Sequence, residues 1–121
     1  MEQSEHVSGK LFIMYFAIIL FVLLSNAAFG QIQVAHFNAE WNKANSVEWF
    51  MDLKECKTKS IVDIAKQPKM ATKHKIAVIP TIIIFKDNEE VARFQADLSF
   101  KMLATKKEVQ EEIDNILMSD F

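Results

Sequence analysis

The stretch Ala39-Glu40-Trp41-Asn42-Lys43-Ala44-Asn45 decides how this chain is read. Ahead of it, residues 31–37 alternate polar and apolar side chains around Ile32, Val34 and Phe37, the pattern of a half-buried strand. Behind it, Val47, Phe50 and Met51, flanked by Trp49 and Leu53, give a helix a broad apolar face. Asn42 or Asn45 can cap that helix, because an asparagine oxygen accepts from the free amides of a first turn. Further on, Val78-Ile79-Pro80-Thr81 opens a second apolar run, Thr81 to Phe85. That run is apolar on both faces and is expected in the middle of a sheet.

The remaining elements follow by the same rules. Residues 60–65 carry Ile61, Val62 and Ile64 and predict a short strand. Pro68 suits the first turn of a helix reaching about His74, where a missing amide proton costs little. Lys86-Asp87-Asn88-Glu89-Glu90 reads as a hairpin turn with Asn88 at positive φ, and Val91 to Gln95 returns antiparallel. Thr105 and Glu108 have capping-box spacing, ahead of a terminal helix with Val109, Ile113, Ile116 and Leu117 on one face. The order is β-α-β-α-β-β-α.

This arrangement resembles the thioredoxin family, whose active site reads Ala-Glu-Trp-Cys-Gly-Pro-Cys at a strand-to-helix turn, opposite an Ile-Pro-Thr cis-proline loop. The resemblance covers about residues 31–117 and rests on Ala39-Glu40-Trp41 and Val78-Ile79-Pro80-Thr81 in register with the elements. It implies an α/β thioredoxin-like fold, a mixed four-stranded sheet flanked by helices, with the family's usual first strand and helix omitted. It also implies a lost chemistry. Asn42 and Asn45 stand where the cysteines belong, His36 aligns with the family's buried acid, Asn38 with an aromatic residue and Ala96 with a glycine. An asparagine has no ionisable sulfur to attack or resolve a disulfide. No cofactor is implied.

At 121 residues the chain holds one domain, and its first 30 residues differ in kind from the rest. Leu11 to Leu24 are 14 consecutive apolar or aromatic residues behind Lys10, followed by Ala28-Phe29-Gly30. That length suits a signal-peptide core cleaved after Gly30, while the window from Leu11 to Gly30 suits an uncleaved membrane anchor. Either reading puts residues 31–121 outside the cytoplasm, in a periplasmic or other extracytoplasmic space. Beyond residue 30 there are 13 basic and 14 acidic side chains, so no charge excess points to nucleic acid. The single cysteine, Cys56, excludes an internal disulfide.

Each candidate residue has a plain alternative. Cys56 beside Lys54, Lys57 and Lys59 reads either as a thiol of lowered pKa, reactive or bridged to a partner, or as a tolerated cysteine at a helix end. His36 has no histidine at metal-ligand spacing and reads as a buried, hydrogen-bonded side chain, so no metal site is expected. Met102 and Leu103 after Phe100 either form a recognition patch or pack the loop before the last helix. Trp41 either anchors a ligand or packs. The resemblance implies a peptide groove of Trp41, Asn42, Lys43, Ile79 and Pro80, in which an extended client pairs with the backbone beside the proline. The expected function is therefore redox-inactive binding of a polypeptide or envelope partner. The alternatives are a residual thiol oxidoreductase acting through Cys56 and a scaffold subunit of an envelope complex.

Overall fold

The computed structural model describes residues 32–119. The leader or anchor expected at residues 1–30 lies outside the described residues. Among the described residues no helix is long and apolar enough to cross a membrane.

Four strands form one mixed sheet in the order β2-β1-β3-β4. β1 (Ile32–Asn38) pairs parallel with β2 (Thr58–Asp63) and antiparallel with β3 (Thr81–Lys86), which pairs antiparallel with β4 (Glu89–Gln95). β3 is thus an inner strand, and Thr81, Ile82, Ile83 and Ile84 are buried, as the two-faced apolar run predicts. The period of two sends Ile32, Val34, Ile82 and Ile84 to one face, where Val47, Phe50, Leu53, Val109 and Ile113 close over them. Ala35, Phe37, Val62 and Ile83 form the opposite core, with Met70 and Ile76 against them. Each buried Ile or Phe contributes about 1.5–3 kcal/mol, so these two clusters hold the sheet between its layers.

Two α-helices lie on opposite faces. α1 (Pro68–Lys73) has proline in its first turn and carries Met70 against the second core. α2 (Lys106–Met118) buries Val109 and Ile113 in the first. Thr105 caps α2: its Oγ1 accepts from the Glu108 N–H at 3.2 Å and donates to the Glu108 carboxylate at 3.2 Å. The β3–β4 turn places Asp87 (φ 51°) as well as Asn88 (φ 69°) in the left-handed region, the two-residue turn that matches strand twist.

The segment after β1 departs from the sequence pattern. In place of one α-helix there are two 3₁₀ segments, η1 (Glu40–Asn45) and η2 (Phe50–Asp52). Their bonds run to the third residue back, as in Ser46 N–H to Lys43 O (3.1 Å) and Leu53 N–H to Phe50 O (3.2 Å). The apolar face survives, because Val47, Phe50 and Leu53 still reach the core. Lys59 of β2 donates to the carbonyls of Met51 (2.6 Å) and Leu53 (3.0 Å), and Gln110 of α2 exchanges two hydrogen bonds with the Lys54 backbone. Those outside partners hold a segment that lacks its own helical ladder.

Candidate functional site

Asparagine chemistry explains the broken helix. Asn38, the last residue of β1, donates from Nδ2 to the Asn42 carbonyl (3.2 Å) and to Ser46 Oγ (3.0 Å). In an α-helix that carbonyl would accept from the Ser46 N–H; here Ser46 turns to Lys43 O instead. Asn42 Nδ2 donates back to Asn38 Oδ1 (3.0 Å), and Asn45 Nδ2 donates to Asn42 Oδ1 (2.9 Å). Asn42 itself sits at φ −109°, ψ 20°, outside helical geometry. The capping expected of Asn42 or Asn45 does not occur: Ala39 is the N-cap residue, and no side chain caps η1.

This network also fixes what the turn exposes. Asn42 is only 4% exposed, its amide spent on Asn38 and Asn45, so it is not a groove side chain open to a ligand as the resemblance implies. Trp41 is 68% exposed and meets the Phe100 ring edge-on, with centroids 5.3 Å apart. Lys43 is exposed.

Pro80 is brought to the same end of the sheet. The register pairs Phe37 with Thr81, so Pro80 falls beside Asn38, the residue that holds the turn. The Ile79–Pro80 bond is cis. Pro80 O accepts from the Ala96 N–H at 3.0 Å, which ties in the end of β4. By contrast, neither the N–H nor the carbonyl of Ile79 has a hydrogen-bond partner among the described residues. Ile79 as a residue is 4% exposed.

His36 lies beneath the turn, 3% exposed, with its ring 5.4 Å from that of Phe50. Its Nε2 accepts from the Val47 N–H at 3.1 Å, so the ring proton sits on Nδ1, a buried atom without a partner among the described residues. Burial pushes its pKa below the ordinary histidine value, which favours the neutral ring. A cleft of about 330 Å³ opens here, with His36, Asn38, Lys43, Ser46 and Asp63 in its walls. No cluster of metal-ligating side chains occurs among the described residues.

Cys56 is not brought to this end of the fold. It follows η2, half-buried against the first core, with Sγ 3.4 Å from Lys54 O. Its lysine neighbours in sequence suggest a lowered pKa; burial instead raises it, outweighing the pull of Lys59. Met102 packs on the first core, whereas Leu103 is exposed.

No protein-family model matches the chain. Over 47 residues it is 43% identical to the chloroplastic thioredoxin Y1 of Arabidopsis thaliana, an alignment spanning 39% of this chain and 27% of the plant protein. Its structure is similar to that of a mutant thioredoxin from Halobacterium salinarum (TM-score 0.56, 18% identity, 72% of this chain and 75% of that one). The domain is thioredoxin-like. The X-ray structure of Fasciola hepatica thioredoxin gives the same answer (TM-score 0.51, 26% identity, 82% and 92% covered), as does a poplar thioredoxin h (0.54, 21%, 78% and 84%). Two features of this thioredoxin-like domain are not foreseen in the sequence pattern: the Asn38-centred network and the contact of Trp41 with Phe100. The recurrence of asparagine at 38, 42 and 45 is the available signal for the first, although Asn38 ends a strand and helical spacing does not pair it with Asn42.

Proposed function

We propose that this domain binds an extended polypeptide at the Pro80 end of its sheet and carries out no dithiol–disulfide exchange. The orphaned Ile79 backbone pair beside Pro80 carries the reading: a client strand would satisfy both groups, with exposed Trp41 and Lys43 at the rim. The chain holds one cysteine, so no internal disulfide can close an exchange cycle, and burial raises the pKa of Cys56, which disfavours its thiolate. The same reading puts the domain outside the cytoplasm, with residues 1–30 either cleaved after Gly30 or kept as an anchor, supported by the apolar block behind Lys10.

The test is amide NMR of the full chain titrated with an extended, uncharged peptide. Binding that shifts and protects the Ile79 amide supports the groove. Loss of that response in Trp41→Ala adds the rim, and an Ile79 amide indifferent to every peptide leaves the fold as a scaffold. Turnover in a dithiol-coupled insulin assay above a Cys56→Ser control would refute redox inactivity. N-terminal sequencing of the native protein decides processing: Gln31 means cleavage, Met1 or Glu2 an anchor.

A further inference from the structure

The two outer strands of the sheet are not alike. β4 carries Glu89, Glu90 and Arg93, and its pairing with β3 is interrupted by a register shift at Ile84/Phe85. Charges and bulges of that kind keep an edge from pairing further. β2 has neither a proline nor a register shift, and Thr58 to Asp63 pair in step with β1 throughout. Lys59, within the strand, is drawn toward η2, where it donates to the Met51 and Leu53 carbonyls. Ile61 stands in the middle of this edge, 65% exposed. Among the described residues no strand pairs with the outer side of β2.

The register decides which backbone groups face outward. Ile64 N–H donates to Asn38 O (2.9 Å), so the even-numbered residues of β2 turn their amides and carbonyls toward β1. Alternation turns those of Lys59 and Ile61, and the Asp63 N–H, away from it. The Asp63 carbonyl is occupied behind the strand, by the N–H groups of Lys66 (3.1 Å) and Gln67 (2.9 Å). The side chains of Lys59, Ile61 and Asp63 share one face, that of His36, which pairs with Ile61.

We propose that β2 pairs antiparallel with β2 of a second copy of this chain, about a two-fold axis at Ile61. Self-complementarity selects a second copy as the occupant. In that register Ile61 faces Ile61, and Lys59 faces Asp63 in both directions, so Lys-x-Ile-x-Asp complements its own reverse. The two Ile61 residues exchange both backbone bonds, and each Asp63 N–H donates to the Lys59 carbonyl of the other copy. Lys59 uses two of an ammonium's three donors on η2, and the third meets the carboxylate. A slip of two residues either way sets Ile61 against Lys59 or Asp63 and loses the apolar pair. The proposal is independent of the peptide reading above, which concerns Ile79 and Pro80.

The experiment is sedimentation equilibrium of the full chain in mild detergent, with circular dichroism to check the fold of each variant. The parent is expected to show a concentration-dependent monomer–dimer equilibrium. Ile61→Lys sets two ammonium groups opposite each other and should weaken the dimer at least ~10-fold. Because Ile61 is largely exposed, the change leaves the core untouched. Asp63→Asn keeps the oxygen that accepts from Ala65 N–H and removes the charge, so it should weaken the dimer several-fold, with less effect at about 0.5 M salt. Val91→Lys, an exposed change on β4, should leave the equilibrium where it was.

A covalent readout fixes the register. In a Cys56→Ser chain with copper phenanthroline as oxidant, Ile61→Cys should bridge two copies, since directly opposed Cα atoms lie about 5.5 Å apart, within disulfide reach. Thr58→Cys should not, because its counterpart would lie about 20 Å away along the strands. A parent that stays monomeric at every concentration overturns the proposal. So does a dimer that survives Ile61→Lys unchanged, one that Val91→Lys dissociates, or bridging through position 58 as readily as through 61.

Discussion

Asn42→Ala tests whether the asparagine network holds the turn. Asn38 is 6% exposed, and Asn42 Nδ2 is the donor to its Oδ1, so the substitution removes that oxygen's partner in a largely buried setting. An unsatisfied buried acceptor costs about 1–3 kcal/mol. Asn45 also loses its acceptor, but it is half-exposed and can turn to solvent, so its share is small. The expected loss is about 2 kcal/mol. In a domain of this size that lowers Tm by roughly 8–16 °C, at about 4–8 °C per kcal/mol.

Two further variants separate the hydrogen bond from mere loss of volume. Asn42→Asp keeps the shape but faces Asn38 Oδ1 with a second acceptor, so it should be worse than alanine at neutral pH and recover as the carboxyl protonates. Asn38→Ala with Asn42→Ala removes both partners, so the double variant should be less destabilised than the sum of the singles by about 1 kcal/mol or more. Urea unfolding of the full chain, followed by far-UV circular dichroism, reads all four. A loss below about 0.5 kcal/mol for Asn42→Ala, or strict additivity in the cycle, would refute the reasoning.

Three other outcomes follow. Placing cysteines at both 42 and 45 should not confer insulin reduction above the parent in a dithiol-coupled assay, because position 42 is buried beneath its own turn and no α-helix begins there; clear turnover would contradict that geometry. Thr105→Ala should destabilise by about 1 kcal/mol through loss of the α2 cap, with Thr105→Ser retaining most of it in the same denaturation experiment. Burial lowers the pKa of His36 and, less deeply set, of His74, so below the unfolded value of about 6.5 the unfolded chain takes up protons that the native state refuses. The urea midpoint should therefore hold steady above that pH and fall as pH drops from about 6.5 toward 5, and a midpoint rising over that interval would show the sign to be wrong.

What the sequence made legible were features whose signal is periodic or compositional. The all-apolar run of β3 reports burial on both faces and the Thr105–Glu108 spacing reports a cap; each is local, whereas the alternation in β1 reports a strand but not that its polar His36 and Asn38 are buried too. The segment after β1 misled because its apolar spacing is helical while its polar residues are not neutral bystanders. Val47, Phe50 and Leu53 reach the core equally well from two 3₁₀ segments, so periodicity alone does not report how the backbone bonds. What decided the backbone was a polar side chain four residues away, the Asn38 amide at the end of the strand taking the Asn42 carbonyl. Cys56 misled for a similar reason. Lysines adjacent in sequence suggest an activated thiol, but the packing of Cys56 on the first core outweighs the one lysine that acts on it.

The same event sets what the turn at position 42 presents. In a thioredoxin-like site the first turn of a helix supplies aligned amides that stabilise a thiolate. Here the Asn38 amide diverts the Asn42 carbonyl, the ladder shortens to third-neighbour bonds, and the side chain at 42 turns inward to satisfy Asn38. An asparagine at 42 thus stabilises the turn through its bond to Asn38, and the amides of a regular α-helix do not converge on that position. The Pro80 end is under no such coupling. Its geometry depends on the β1–β3 register and on the Ala96–Pro80 hydrogen bond, neither of which involves residues 42 or 45. The Pro80 end and the Asn38-centred turn are therefore held by separate sets of bonds, and the ring contact of Trp41 with Phe100 links η1 to the turn that Asp97 organises.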